Sequence, residues 1–270
     1  MGAETFSLAG KFALVTGSSK EHGIGAAIVR SLARNGAAVA IHYVSESSKA
    51  KAEGVAANIT KEFGTKTTVV RGAVEEAGTA KTIVEAALKG LDTDHIDILV
   101  NNAGGGDNKA LMDITPEQIQ HEFGLNVFGT IYLTQAVVGT GKMPRGGRIV
   151  NIGTIASKLG LEGVTVYSAA KAAQDSITAS LAGELGKSRG ITVNTVAPGP
   201  VPTDASKPFL EKPDGSPSEM QVGMIATTRA AARLGATEDI ADAVLLLVSE
   251  KSRWITAQWI SVSGGITGTM

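Results

Sequence analysis

Seven short apolar runs, at 11–16, 38–43, 67–71, 96–100, 148–152, 192–196 and 259–262, alternate with longer stretches in which apolar residues recur at helical spacing. The runs read as strands and the stretches between them as about six helices. Strands spaced this way pair in parallel, because a parallel neighbour needs a crossover of a dozen or more residues. The pattern therefore predicts an α/β fold, with one doubly wound parallel sheet of about seven strands and helices on both faces. No repeat, low-complexity tract or Ser/Pro/Gly-rich linker divides the 270 residues, so 1–270 reads as a single domain. The rhythm breaks at 200–223, where Pro200 is followed by four further prolines and two glycines. So long an irregular excursion predicts a substrate lid at about 200–230.

Composition narrows the partners. Lys and Arg number 25 against 26 Asp and Glu, a net charge of −1, so no field draws the chain to nucleic acid or to an anionic membrane. Cysteine is absent and the four histidines are scattered, which excludes disulfides and thiolate metal sites and leaves little basis for a catalytic metal. Residues 1–8 lack the basic-then-apolar order of an export signal, and the longest uncharged stretch, 123–141, is interrupted by Asn126, Gln135 and several Thr and Gly. The expectation is a cytoplasmic protein with a small-molecule partner.

The chemistry begins where the first strand runs into GSSKEHGIG at 17–25 and then into a helix near Ala26. A strand, a glycine turn and a helix N-terminus place free backbone N–H groups and the positive end of the helix dipole where a pyrophosphate can sit. Glycines at such a turn also occur as plain turn chemistry. The second strand ends at Tyr43, where an enzyme preferring NAD would hold an acid for the ribose 2′-hydroxyl. Ser45, Ser47 and Ser48 follow, and Lys20 and His22 supply positive charge from the glycine turn, which favours the 2′-phosphate of NADP(H). The other reading makes Lys20 a solvated charge and Glu46 the ribose ligand. After the fourth strand, the string NNAG at 101–104 puts Asn102, Ala103 and Gly104 at the carboxyl edge of the sheet, where ligands bind.

Tyr167 and Lys171 stand four residues apart at the start of an alanine-rich helix, so both project from one face. A free phenol titrates near about 10; a neighbouring ammonium and an oxidised nicotinamide together are expected to lower that value and let Tyr167 exchange a proton near neutral pH. Taken alone, such a pair more often just flanks a buried face. Downstream, APGPVPT at 197–203 follows the sixth strand.

The order of these strings resembles the short-chain dehydrogenase/reductase family over about residues 10–265. They are a TGxxxGxG-like turn with two extra residues between Gly17 and Gly23, then NNAG, a hydroxyl residue after the fifth strand, YxxxK, the PG turn, and VSGG at 262–265. The nearest likeness is to β-ketoacyl carrier-protein reductases and fungal naphthol and polyketide ketoreductases. The resemblance implies a Rossmann-type fold and NADP(H) held by Gly17, Ser19, Lys20, His22, Gly23, Ile24, Tyr43, Ser45, Val74, Asn102, Ala103, Gly104, Tyr167, Lys171, Pro198, Gly199, Val201 and Thr203. It implies a catalytic set of Asn126, Thr154, Tyr167 and Lys171, in which Thr154 stands where the family has serine and Asn126 holds a water in a proton relay. Ser157 is an alternative donor to Thr154. The implied reaction is hydride transfer to a ketone. Reduction of an imine or an activated double bond, and a non-catalytic NADP(H) sensor, are the rival readings. Small residues on the helical stretches 117–138 and 165–187, Ala169, Ala172, Ala173, Ala179 and Ala182 among them, permit close helix approach and imply a homodimer or homotetramer.

Overall fold

The computed structural model describes residues 6–204 and 206–268; Ala205, inside the expected lid, and the chain ends at 1–5 and 269–270 lie outside the described residues. All seven strands appear, with β1 at Phe12–Val15, β2 at Ala38–Tyr43, β3 at Thr67–Arg71, β4 at Ile98–Asn101, β5 at Arg148–Ile152, β6 at Thr192–Pro198 and β7 at Trp259–Val262. They form one sheet in the order β3-β2-β1-β4-β5-β6-β7, every pair parallel. Strand order reverses between β1 and β4, and the crevice beyond their carboxyl ends is where such sheets bind ligands.

The central strands are buried on both faces, as FALV in β1 and as ILV and IV runs in β4 and β5, whose buried Asn101 and Asn151 bond to each other. One face is covered by α1 (Ile24–Arg34), α2 (Lys49–Phe63) and α10 (Thr237–Val248), through Ile28, Leu32, Ile59 and Val244. The other is covered by α3 (Ala77–Leu91), α5 (Gly129–Gly139) and α7 (Thr165–Arg189), through Ile83, Leu133, Val137 and Ala182. α4 (Pro116–Phe123) starts at Thr115, whose side chain accepts a hydrogen bond from Gln118 N.

The expected helix at 117–138 is not continuous. Between α4 and α5 the backbone widens into a π turn at Gly124–Phe128, with Gly129 N donating to Gly124 O, and Asn126 sits at its centre. The excursion after Pro200 carries more structure than the prolines suggest. It contains α8 (Lys207–Leu210) and α9 (Glu219–Thr227), and the Ser218 hydroxyl accepts from Gln221 N to start α9. Between β5 and α7 lies the single turn α6 (Ala156–Leu159). No helix among the described residues is long and apolar enough to cross a membrane.

Candidate active site

A cleft of about 560 Å³ opens at the strand-order reversal. Its walls include Gly17, Ser19, Lys20, Gly23, Ile24, Tyr43, Asn102, Ala103, Gly104, Thr154, Tyr167, Lys171, Pro198, Gly199, Val201 and Thr203, which brings sixteen of the residues expected from the sequence onto one surface. At the β1 end, α1 begins at Gly23 with no side chain capping it. The first-turn N–H groups therefore lack an internal partner, as anion binding at a helix N-terminus requires.

Gly17 has φ +62°, and a Cβ there would lie 2.9 Å from Ala103 Cα, so the turn can press against the NNAG loop only as glycine. Two side chains lock this contact. Asn102 Nδ2 donates to Thr16 O at 2.8 Å and to Gly17 O at 3.0 Å. His42, fully buried in β2, accepts from Gly17 N at Nδ1 (3.0 Å) and donates from Nε2 to Gly72 O (2.8 Å). Those partners require the neutral ring, and burial pushes its pKa down to about 4.

Four expected residues stand outside the cleft wall. The two extra residues of the glycine turn fold into a tight bend, closed by Gly23 N donating to Lys20 O at 2.9 Å. Lys20 thus stays at the cleft, while His22 lines a separate groove of about 380 Å³ with Arg30 and Glu238. The Ser45 hydroxyl pairs with those of Ser47 and Ser48, and of these three serines Ser48 reaches the cleft. Val74 is buried, and a Cβ on Gly129 would meet it at 2.9 Å, so its side chain packs behind the site. Asn126 is wholly buried; its Nδ2 donates to Gly105 O and Glu122 O, both at 2.8 Å, and its Oδ1 accepts from Gly105 N at 3.2 Å.

One charged residue near the nucleotide end is absent from the sequence reading. Arg71, paired with Tyr43 in the β2–β3 register, donates from Nε to Val44 O (3.1 Å) and from Nη1 to Glu46 (2.7 Å). Register across a strand pair, invisible along the chain, brings this guanidinium to the end of β2. Glu46 also lies 3.9 Å from Lys49, so its carboxylate is shared between two cations.

At the other end of the cleft, Tyr167 and Lys171 rise from the first turns of α7 on one face. Lys171 is buried, and its Nζ donates to Ile152 O at 2.7 Å and to Gln174 Oε1 at 3.2 Å. Burial brings its pKa down to about 8, with Asp175 pulling the other way. The expected lowering of the phenol does not appear in the chain itself. Burial pushes Tyr167 above the ordinary phenol value, a hydrogen bond with Thr154 pulls it down, and the Glu122 carboxylate pushes it up. The physical reason is that desolvation of a phenolate outweighs the Thr154 contact, while the ammonium's own hydrogen bonds go to Ile152 and Gln174. A phenol held protonated at neutral pH is suited to giving a proton away. Ser157 is engaged elsewhere: its Oγ lies within hydrogen-bond distance of Asp175 Oδ2 (2.8 Å) and Thr154 O (2.9 Å), and its one proton serves one of them at a time.

The fold and this set of side chains define a dinucleotide-dependent oxidoreductase site, and the comparisons agree. The family model described as enoyl-(acyl carrier protein) reductase matches residues 17–267. The short-chain dehydrogenase/reductase FrzI of Cladobotryum sp is 40% identical, covering 96% of this chain and 97% of its own. The 3-oxoacyl-[acyl-carrier-protein] reductase FabG of Vibrio harveyi is 36% identical, covering 96% of this chain and 98% of its own. Among solved structures, a blue fluorescent protein from a metagenomic library, in complex with NADPH, superposes with a TM-score of 0.85 at 35% identity, covering 97% of this chain and all of that one. The chain belongs to the short-chain dehydrogenase/reductase family and is an oxidoreductase.

Proposed function

We propose that the protein is an NADPH-dependent carbonyl reductase, with Tyr167 as the general acid. The observation that carries this reading is the placing of the Thr154 and Tyr167 hydroxyls on one cleft wall, close enough for Thr154 to act on the phenol, with the buried ammonium of Lys171 on the same wall. Two hydroxyls at one point can bind and polarise a carbonyl oxygen, and one of them can protonate it. A relative whose name states 3-oxoacyl reduction supports the ketone, and a structural neighbour holding NADPH supports the cofactor.

The residues present fit the cofactor. The uncapped N-terminus of α1 suits the pyrophosphate, and Lys20 and Arg71 bring positive charge to the end of β2, where no carboxylate stands at Tyr43 to repel a 2′-phosphate. Gly104 leaves the wall open beside Lys171, since a Cβ there would lie 2.8 Å from Asn126 Oδ1 and 3.0 Å from Lys171 Nζ. Pro198, Gly199, Val201 and Thr203 contribute to the same wall from the end of β6 and the segment after it. When bound, NADPH supplies the hydride. Lys171 holds the ribose end and keeps positive charge near the developing phenolate, and Asn126 supports the Gly104–Gly105 backbone against it.

The name of the matching family model favours a second reading, reduction of an activated double bond on the same scaffold. Incubation with NADPH and panels of ketones, imines and enones, with products identified by mass spectrometry and NMR, decides between them. Alcohols from the ketones are the expected result, and saturated products from the enones alone would overturn the carbonyl assignment.

The assembly proposed is a homotetramer, paired through α5 and α7. Phe128 is 46% exposed beside this surface, and Ala169 and Ala179 also face outward. Ala182, expected on that face, instead packs into the core.

A further inference from the structure

Gln174 is fully buried on the inner face of α7, one turn beyond Lys171, where a helix packed on a sheet ordinarily presents an apolar side chain. Its amide joins two groups on different elements. Oε1 accepts from Lys171 Nζ at 3.2 Å, and Nε2 donates to Thr130 Oγ1 at 2.8 Å. Thr130 in turn donates to the carbonyl of Asn126 at 3.0 Å, within the π turn. All four residues are buried, from 0% to 3% exposed.

Each link has only one possible direction. The carbonyl of Asn126 can only accept, so the single proton of Thr130 is committed to it, and Thr130 Oγ1 must then receive a proton from its other neighbour. Only the amide nitrogen of Gln174 can provide one, which turns Oε1 towards Lys171. The orientation of the glutamine is therefore fixed from both ends: by Thr130, 44 residues away in sequence and tied to the π turn, and by the ammonium, which can only donate and so also requires Oε1 to face it. A carbonyl dipole locked in this way costs no reorganisation when it receives a charge. An amide does not pass protons readily, so the chain works as a fixed strut.

We propose that Gln174 is a positioning residue: anchored through Thr130 to the π turn at Asn126, it presents a preoriented carbonyl that holds the Lys171 ammonium at the cleft wall. This rests on the assignment of Lys171 to the proton-handling site. Ile152 O is the other acceptor, and Asp175, one turn along α7, is the charged side chain acting on the same ammonium.

The test is the titration of Lys171 in cofactor-free enzyme, followed by NMR of ¹³C-labelled lysine and assigned with Lys171→Arg. In Gln174→Leu the charged form loses an acceptor, so the lysine pKa falls by roughly 1 unit; in Gln174→Glu it rises, a change of sign that loosened packing does not produce. Thr130→Val, which leaves Gln174 in place but frees its amide to turn, lowers the value by less than Gln174→Leu, and the double variant falls no further than Gln174→Leu alone. A Lys171 pKa unmoved to within about 0.2 unit in Gln174→Leu, or shifted in the same direction by leucine and glutamate, overturns the proposal. Additive effects of the Thr130 and Gln174 substitutions overturn the strut. Since no substrate is present, failure of the carbonyl-reductase reading leaves these outcomes unchanged.

Discussion

Ser157 Oγ lies 2.8 Å from Asp175 Oδ2, whereas Thr154 shares the cleft wall with Tyr167 and acts on its phenol. Of the two hydroxyl residues after β5, Thr154 therefore meets the phenol while Ser157 braces Asp175 from α6. Thr154→Val keeps the shape and deletes the donor, and is expected to lower kcat by roughly 10²–10³. Thr154→Ser retains activity, and Ser157→Ala changes kcat by a few-fold at most. Steady-state kinetics on the three variants check this; a harmless valine would transfer the role to another donor.

The buried ring of His42 makes stability depend on pH. Its folded pKa of about 4 lies below the unfolded value of 6.5, so the fold favours the neutral ring. The contribution is fully present above about 6.5 and is lost as pH falls towards about 4, amounting to on the order of 3 kcal/mol. Urea denaturation of wild type and His42→Gln at pH 7, 5.5 and 4.5 should show a shallower acid dependence in the variant. Parallel curves would contradict this role for the histidine.

The proposed NADPH preference rests on charge at the end of β2. With Lys20 at the cleft and Arg71 bound to the backbone at Val44, wild type is expected to prefer NADPH over NADH by at least about tenfold in kcat/KM, or roughly 1.4 kcal/mol. Tyr43→Asp narrows or reverses that ratio, and Arg71→Gln raises KM for NADPH with little effect on NADH. Equal use of both cofactors by wild type would point to Glu46 as the ribose ligand.

For assembly, light scattering at micromolar concentration should return a multiple of the chain mass, and Ala179→Arg should reduce it. A wild-type mass near 27.6 kDa would remove the proposal.

Much of this architecture can be read along the chain, because local rules govern it. Short β-prone runs bounded by turn residues place β2, β3, β5 and β7 at their observed limits, whether buried within the sheet, as β2 and β5 are, or at its edges, as β3 and β7 are. The glycine turn, the NNAG loop and the Tyr167/Lys171 pair are likewise local in sequence, and the fold brings them to one cleft. What escapes the sequence depends on partners elsewhere. Arg71 reaches the cofactor end through strand register, and Gln174 reads as one more helical residue until Thr130 is set against it. The π turn at Gly124–Phe128 is a backbone event with no compositional mark, and the two extra residues of the glycine turn show in the sequence without showing that they carry His22 away from the cleft.

The central claim, that Tyr167 delivers the proton during carbonyl reduction, is tested most directly by Tyr167→Phe, which deletes one oxygen atom. Ketone-dependent NADPH oxidation at 340 nm is measured beside NADPH affinity by fluorescence titration, for wild type and variant together. The account predicts that wild type turns over, while the variant loses at least about 10²-fold in kcat and keeps its NADPH affinity within a few-fold. Turnover by Tyr167→Phe near the wild-type rate would contradict it.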